Sequence, residues 1–137
     1  MTLPYVVWVL CGAVATMPIF WLYRRVSPAG QCRLWSNGLV VAALVYVAFA
    51  LWGHADGPWL GIEAAGVVIY GGVAWWGRRR APWLALGWAL HVLWDVLLHG
   101  GGLGHGADFV PAWYPPVCLG FDLAVAGYLA TLSRRGR

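Results

Sequence analysis

Five acidic residues and four histidines supply most of the reactive side chains of this chain. Their most distinctive arrangement is HVLWDVLLH, in which His91, Asp95 and His99 follow one another at intervals of four residues. Residues four apart share one face of a helix, so the spacing predicts a polar stripe. A histidine beside a carboxylate can work as an acid–base pair or supply two ligands to a metal ion.

His91 and His99 would lie about 12 Å apart along a helix, too far for both to bind one metal ion. We therefore expect Asp95 with either histidine to form half of a site, with Glu63 or Asp122 completing it from another helix. His99 stands at the predicted helix end, where we expect it to face water.

The segments that carry these residues are strongly apolar. Hydrophobic residues make up 61% of the chain and charged residues only 10%, compared with about 25% in soluble domains. A helix needs about 20 mostly apolar residues to cross a bilayer. The sequence predicts an all-α membrane protein with a single domain over residues 1–137. Its five transmembrane helices cover residues 3–23, 34–53, 58–76, 82–99 and 114–133.

The nine positive residues are all arginines, and they follow only the first, third and fifth predicted helices. Positive loops face the cytoplasm, which predicts an N-terminus outside and a C-terminus inside. The expected location is a bacterial-type inner membrane. Basic residues confined to these short loops indicate membrane topology, and they exclude nucleic acid as the expected partner.

This topology places the acidic residues and histidines in the half of the bundle that faces the outside of the cell. A rise of about 1.5 Å per residue puts Glu63 roughly 7 Å, Asp95 about 6 Å, and His91 and Asp122 about 12 Å below the outer helix ends. Buried ionisable groups in membranes usually pair and mark function. The candidate catalytic and metal-binding residues are His91, Asp95, Glu63 and Asp122, and the candidate substrate-lining residues are Trp88, Trp94, Tyr46 and Tyr70. Satisfied polar packing is the structural alternative for all of them.

Several other features have simpler interpretations. Most tryptophans, Trp35 among them, stand near predicted helix ends, as expected of an interfacial belt. Gly57, Gly61 and Ala65 form a small-residue stripe typical of helix packing. Cys32 is expected in a cytoplasmic loop. Cys11 and Cys118 are expected to pack as small apolar residues, with a disulfide between them as the alternative.

The loop GGGLGHGADFVPAWYPP is long for so small a protein and contains His105 and Asp108. It predicts either a lid over the buried site or a connector held at the interface by Phe109, Trp113 and Tyr114. His54 and Asp56 occupy the other outer loop.

HVLWDVLLH and VPAWYPPVCLGFD together resemble a family of small bacterial integral membrane proteins without an assigned function. A looser similarity, the pair His91 and Asp95 beside Trp88 and Trp94, is to the emopamil-binding sterol isomerases. That similarity implies five membrane helices and protonation of a lipid double bond, with aromatic faces stabilising the cation. The chain departs from that family in its short length, its use of aspartate and the lack of any other shared motif.

Three functions remain open from the sequence. The first is an enzyme that acts on a lipid or isoprenoid-like substrate by acid–base or metal-assisted chemistry, with a divalent metal as the candidate cofactor. The second is a transporter of protons or metal cations, although the inner half has no buried ionisable residue. The third is an accessory subunit that binds a cofactor such as haem or a partner membrane subunit. Membrane lipid is an expected partner, and so is a second copy of the chain, because 14.9 kDa leaves little interior volume.

Overall fold

The computed structural model describes residues 3–99 and 108–135 of the chain, and the regular elements in these two ranges are all helical. The helices are α1 (Leu3–Ala15), α2 (Met17–Tyr23), α3 (Pro28–Trp52), α4 (Gly57–Gly77), α5 (Ala81–Trp94) and α6 (Tyr114–Arg135). A π-helical turn, Asp95–His99, extends α5.

Five helical stretches in the described residues are long and apolar enough to cross a membrane. They are Leu3–Tyr23, Pro28–Trp52, Gly57–Gly77, Ala81–His99 and Tyr114–Leu132. The predicted all-helical fold with five candidate spans is confirmed, and a membrane location follows from the length and composition of the spans.

Proline and cap residues explain most of the helix boundaries. Proline occupies the first or second position of α2, α3, α4 and α5, where its missing N–H removes no helical bond. The Ser27 side chain accepts a hydrogen bond from the Gly30 amide and caps α3. The second span therefore begins at Pro28, six residues before the predicted start at residue 34. Cys32 consequently lies buried within α3, and its predicted loop position is wrong.

The first span is interrupted at Thr16, between α1 and α2. Pro18 cannot donate to the carbonyl four residues earlier, and its ring crowds that carbonyl, so the helix breaks just before it. At the break the Ala13 carbonyl accepts hydrogen bonds from both the hydroxyl and the amide of Thr16, at 2.6 and 3.3 Å. The chain then continues in the same span as α2.

Helix α5 lies at the centre of the bundle, against α3, α4 and α6, while α1 packs on α6. An aromatic core packs the helices together. In it the Trp88 ring meets Trp35 edge to face, and its Nε1 donates to the Trp35 carbonyl at 3.2 Å. Trp35 is only 3% exposed, so its predicted place in the interfacial belt is wrong. Trp52, Trp75 and Trp76 are largely exposed near helix ends.

The closest helix contact uses glycines other than the predicted stripe. A Cβ on Gly12 would collide with the Val117 carbonyl, and one on Gly120 with the Val9 carbonyl. Two small residues thus allow α1 and α6 to touch along their backbones. A Cβ on Gly57 or Gly61 would meet nothing within 4 Å. The stripe of Gly57, Gly61 and Ala65 therefore faces outward, and its predicted packing is wrong within this chain.

Candidate functional site

The centre of the candidate site is His91, on the buried face of α5. Its Nδ1 lies 2.8 Å from Oδ2 of Asp122 on α6 and 3.5 Å from Oδ1 of Asp95. The side chains of His91 and Asp95 are completely buried, and that of Asp122 is 2% exposed. The spacing of four residues places Asp95 next to His91 on the same helix face, as predicted. The packing of α6 against α5 adds Asp122.

Both carboxylates approach the same nitrogen of the imidazole. With Asp122 ionised, the ring donates its Nδ1 proton to Asp122, which fixes the tautomer and the ring orientation. The other nitrogen, Nε2, is buried and has no hydrogen-bond partner among the described residues. A carboxylate on one side and a free nitrogen on the other is the arrangement of a general acid or base.

Asp95 is the least satisfied member of this group. Neither of its oxygens has a hydrogen bond within the part of the chain that the structure describes. The Tyr46 hydroxyl, from α3, lies close enough to interact with the Asp95 carboxylate, although it makes no hydrogen bond of ordinary geometry. A buried carboxylate without partners is costly, so a proton, a water molecule or a cation is expected there.

Glu63 does not join this group. Its Oε1 lies 3.2 Å from Nε2 of His99, and its Oε2 accepts a hydrogen bond from Nε1 of Trp94 at 3.4 Å. The predicted role of Glu63 as a fourth ligand or catalytic partner of His91 is therefore not supported by its position. It forms a second buried pair nearer the end of the span.

His99 is the residue whose predicted environment is wrong. Its side chain is completely buried, and its ring stacks on Tyr46 with centroids 4.2 Å apart. Trp59 in the first turn of α4 and Phe109 in the segment before α6 lie beside it, at 6.0 and 6.1 Å between ring centroids. The regular spacing of HVLWDVLLH already puts His99 on the stripe, and that signal outweighs its position at the helix end.

The aromatic residues predicted to line a substrate divide into two groups. Tyr46 stands between the two histidines, 6.1 Å from His91 as well as stacked on His99. Tyr70 presents its ring edge to His91 at 4.8 Å, but its hydroxyl donates to the Leu90 carbonyl and is not free. Trp94 contacts Glu63, whereas Trp88 belongs to the aromatic core and also lines the cleft beside Asp122.

An apolar cleft of about 330 Å³ separates α3 from α6 and reaches this site. Its walls include the side chains of Trp35, Val41, Val45, Cys118, Phe121 and Asp122. Val41 is 58% exposed on the surface that would face lipid, so the cleft opens sideways toward the bilayer. Among the residues that the structure describes, Asp122 is the only charged one in the lining, and it is the residue bonded to His91.

The three central residues could also hold a metal ion. One ligand atom from each of His91, Asp95 and Asp122 lies within 4.8 Å of the other two. One imidazole and two carboxylates suit a divalent ion such as zinc or manganese, and three protein ligands leave a position open for water or substrate. Two carboxylates would balance the charge of the ion.

The segments at the His99 end of the bundle contribute less to the site. His54 and Asp56 are exposed, and the Asp56 side chain makes no capping bond to α4. His105 and the rest of residues 100–107 of the predicted lid lie outside the described residues, while Asp108 is exposed. Phe109 packs on Trp59, and Trp113 on Trp8.

The cysteines Cys11, Cys32 and Cys118 are all free, so the alternative of a Cys11–Cys118 disulfide is wrong.

Comparison of the chain with protein-family models, with curated proteins and with solved structures found no match.

Proposed function

We propose that this protein is a membrane enzyme that transfers a proton to or from a lipid or isoprenoid-like substrate. The observation that carries the proposal is the double role of Asp122, which bonds to the His91 imidazole and also lines a cleft open to the bilayer. A buried acid–base pair beside an apolar opening suits a substrate that is itself apolar. A site for a water-soluble substrate would need a polar route to His91.

In this proposal the substrate enters between α3 and α6 and lays its hydrocarbon against Val45 and Phe121. Asp122, which lines the cleft, gives the proton to the substrate or takes it, and the His91 imidazole shares that proton through Nδ1. Asp95 stabilises the protonated imidazole because its carboxylate lies 3.5 Å from the same Nδ1. Binding in a dry site strengthens these charge interactions.

The proposal includes the orientation expected from the arginines, with the N-terminus outside and the C-terminus in the cytoplasm of a bacterial inner membrane. In that orientation His99 and Glu63 lie nearer the outer surface than His91 does. They are the pair through which protons would reach the site from outside, with Tyr46 between them and Asp95.

Exchange of hydrogen with the solvent tests the proposal for a substrate of any lipid class. Membranes from cells that express the full chain are incubated in deuterium oxide, and the total lipid extract is analysed by mass spectrometry. We expect one lipid class to gain carbon-bound deuterium. Replacing the imidazole in His91→Ala should slow this gain by about 100-fold or more, the usual contribution of a general acid or base.

Two further variants separate chemistry from folding. Ala42→Phe fills the cleft and leaves His91 and its carboxylates in place, so it should also slow the exchange. His54→Gln changes an exposed histidine and should have no effect. Equal deuterium in every lipid class for wild type and His91→Ala would contradict the proposal.

Metal-assisted catalysis at the same site is the second candidate, and the close approach of ligand atoms from His91, Asp95 and Asp122 favours it. The metal content of the detergent-purified protein distinguishes it from metal-free proton transfer. Stoichiometric zinc, manganese or iron that is lost in Asp95→Asn would establish the metal site. If the metal-free protein still incorporates deuterium into lipid, the acid–base pair catalyses the exchange without a metal.

A further inference from the structure

A second site lies at the opposite end of the bundle from His91. Arg33 of α3 and Arg78, Arg79 and Arg80, which join α4 to α5, line a cavity of about 430 Å³. Arg33 and this three-arginine turn are far apart in sequence, and they line one cavity. None of the arginines whose side chains the structure describes has a carboxylate within ion-pair distance, since the ion pairs there all involve histidine.

Tryptophans form the remaining wall of this arginine cavity. Trp75 and Trp76 are 73% and 63% exposed, and the guanidinium carbons of Arg78 and Arg80 lie 4.9 and 5.6 Å from the centroids of their rings. Stacking on an indole restrains an arginine without neutralising it. The cavity thus has four positive charges, two of them held in position, at the level where tryptophan favours the headgroup zone.

An apolar groove of about 450 Å³ adjoins the arginine cavity and shares Trp76 with it. It runs between α4 and α5 and is lined by Gly72, Val73, Trp83, Leu86 and Leu90. Leu86 and Leu90 are about half exposed on the surface that would contact lipid tails. A strongly basic cavity thus continues into an apolar groove that follows the membrane-spanning part of the helices.

We propose that this combined surface binds one anionic phospholipid, with the phosphate among the four arginines and an acyl chain in the groove. Arginine guanidinium groups match phosphate oxygens with paired hydrogen bonds. Basic pockets between transmembrane helices are suited to lipid headgroups. A soluble anion would use the arginines but would have no contact with the groove, whereas a phospholipid fits both.

Lipid retention by the purified full chain tests the proposal. The protein is exchanged in detergent with an equimolar mixture of phosphatidylglycerol and phosphatidylcholine, and bound lipid is counted by native mass spectrometry. We expect one phosphatidylglycerol to remain bound. Arg33→Gln with Arg79→Gln should weaken its retention roughly 25-fold, about fivefold for each arginine near a headgroup.

The matched control removes the same charge elsewhere. Arg24→Gln with Arg25→Gln changes two exposed arginines outside the cavity, at the inner end of the first span, and should retain the lipid. Equal loss in both double variants, or equal retention of phosphatidylcholine by the wild type, would overturn the proposal.

The groove is tested separately with Gly72→Leu. A Cβ at Gly72 meets nothing within 4 Å, so leucine extends into the groove without a clash against the protein. We expect this variant to release phosphatidylglycerol more readily than the wild type does. If it binds the lipid as before while millimolar inorganic phosphate displaces the lipid from the wild type, the cavity is a site for soluble anions and the lipid proposal fails.

Discussion

The two carboxylates beside His91 differ in how well the protein satisfies them. Asp122 lies 2.8 Å from Nδ1 in a good hydrogen bond, whereas Asp95 lies 3.5 Å from the same atom and has no hydrogen bond. One imidazole can donate only one Nδ1 proton. If both acids are ionised, the group carries excess negative charge in an apolar surrounding, which is costly unless a cation or a proton compensates.

This asymmetry predicts opposite effects of two conservative substitutions. Asp122→Asn removes a charged hydrogen bond and should lower the free energy of unfolding by about 1.5–3 kcal/mol. Asp95→Asn removes a buried charge that lies 3.5 Å from the imidazole but has no hydrogen bond, so it should leave the stability unchanged or raise it. Reversible unfolding of the purified protein in mixed detergent micelles measures both.

A bound metal would give a different result in the same measurement. Asp95 and Asp122 would both be ligands, so each substitution should destabilise the protein by a similar amount. The difference in stability from the wild type should disappear when the proteins are first treated with chelator. Comparable destabilisation without any effect of chelator would contradict the assignment of Asp122 as the principal partner of His91.

Two of the spans contain irregularities, one of them within the site and the other in the first span. The stretch Asp95–His99 is π-helical, so its hydrogen bonds span five residues instead of four, and the stripe that begins as a regular α-helix reaches His99 through a wider turn. Such turns are frequent at functional sites. The break at Thr16 follows from Pro18, which the sequence does show, although the predicted helix over residues 3–23 ignored it.

The contact between α1 and α6 provides a prediction about assembly of the bundle. Gly120→Ala places a methyl group against the Val9 carbonyl, and its Cβ would also lie 3.0 Å from the Ala13 amide nitrogen. Backbone atoms cannot move aside as a side chain does. We expect the free energy of unfolding to fall by about 1–3 kcal/mol, the usual cost of overpacking.

Gly127→Ala is the matched control, because it lies on the same helix and its Cβ would meet nothing within 4 Å. Alanine is favoured over glycine in helices by about 1 kcal/mol, so this variant should be as stable as the wild type or slightly more so. Equal stability of the Gly120 and Gly127 variants in detergent unfolding would show that α1 does not pack on α6 as described.

For the whole molecule, hydropathy was sufficient to predict five spans, because each apolar segment is bounded by proline, glycine or arginine. The meeting of His91, Asp95 and Asp122 could be anticipated from similar depths below the helix ends. Depth does not specify which helices are neighbours, however. The partner of Glu63, the burial of Trp35 and the cleft beside Asp122 all depend on lateral packing, for which one sequence has no direct signal.

Orientation in the membrane determines which aqueous side the site faces. It also determines which end of the bundle a membrane-impermeant reagent can reach. In a background with Cys11 replaced by alanine, a cysteine at exposed Asp56 and one at exposed Arg24 report on opposite ends of the bundle. A membrane-impermeant maleimide added to intact bacterial cells should modify Asp56→Cys and spare Arg24→Cys. Arg24→Cys should react only once the membrane is opened, because arginine-rich loops remain in the cytoplasm. The reverse pattern would contradict this orientation and place Glu63 and His99 toward the cytoplasmic surface, so that protons would reach His91 from inside the cell.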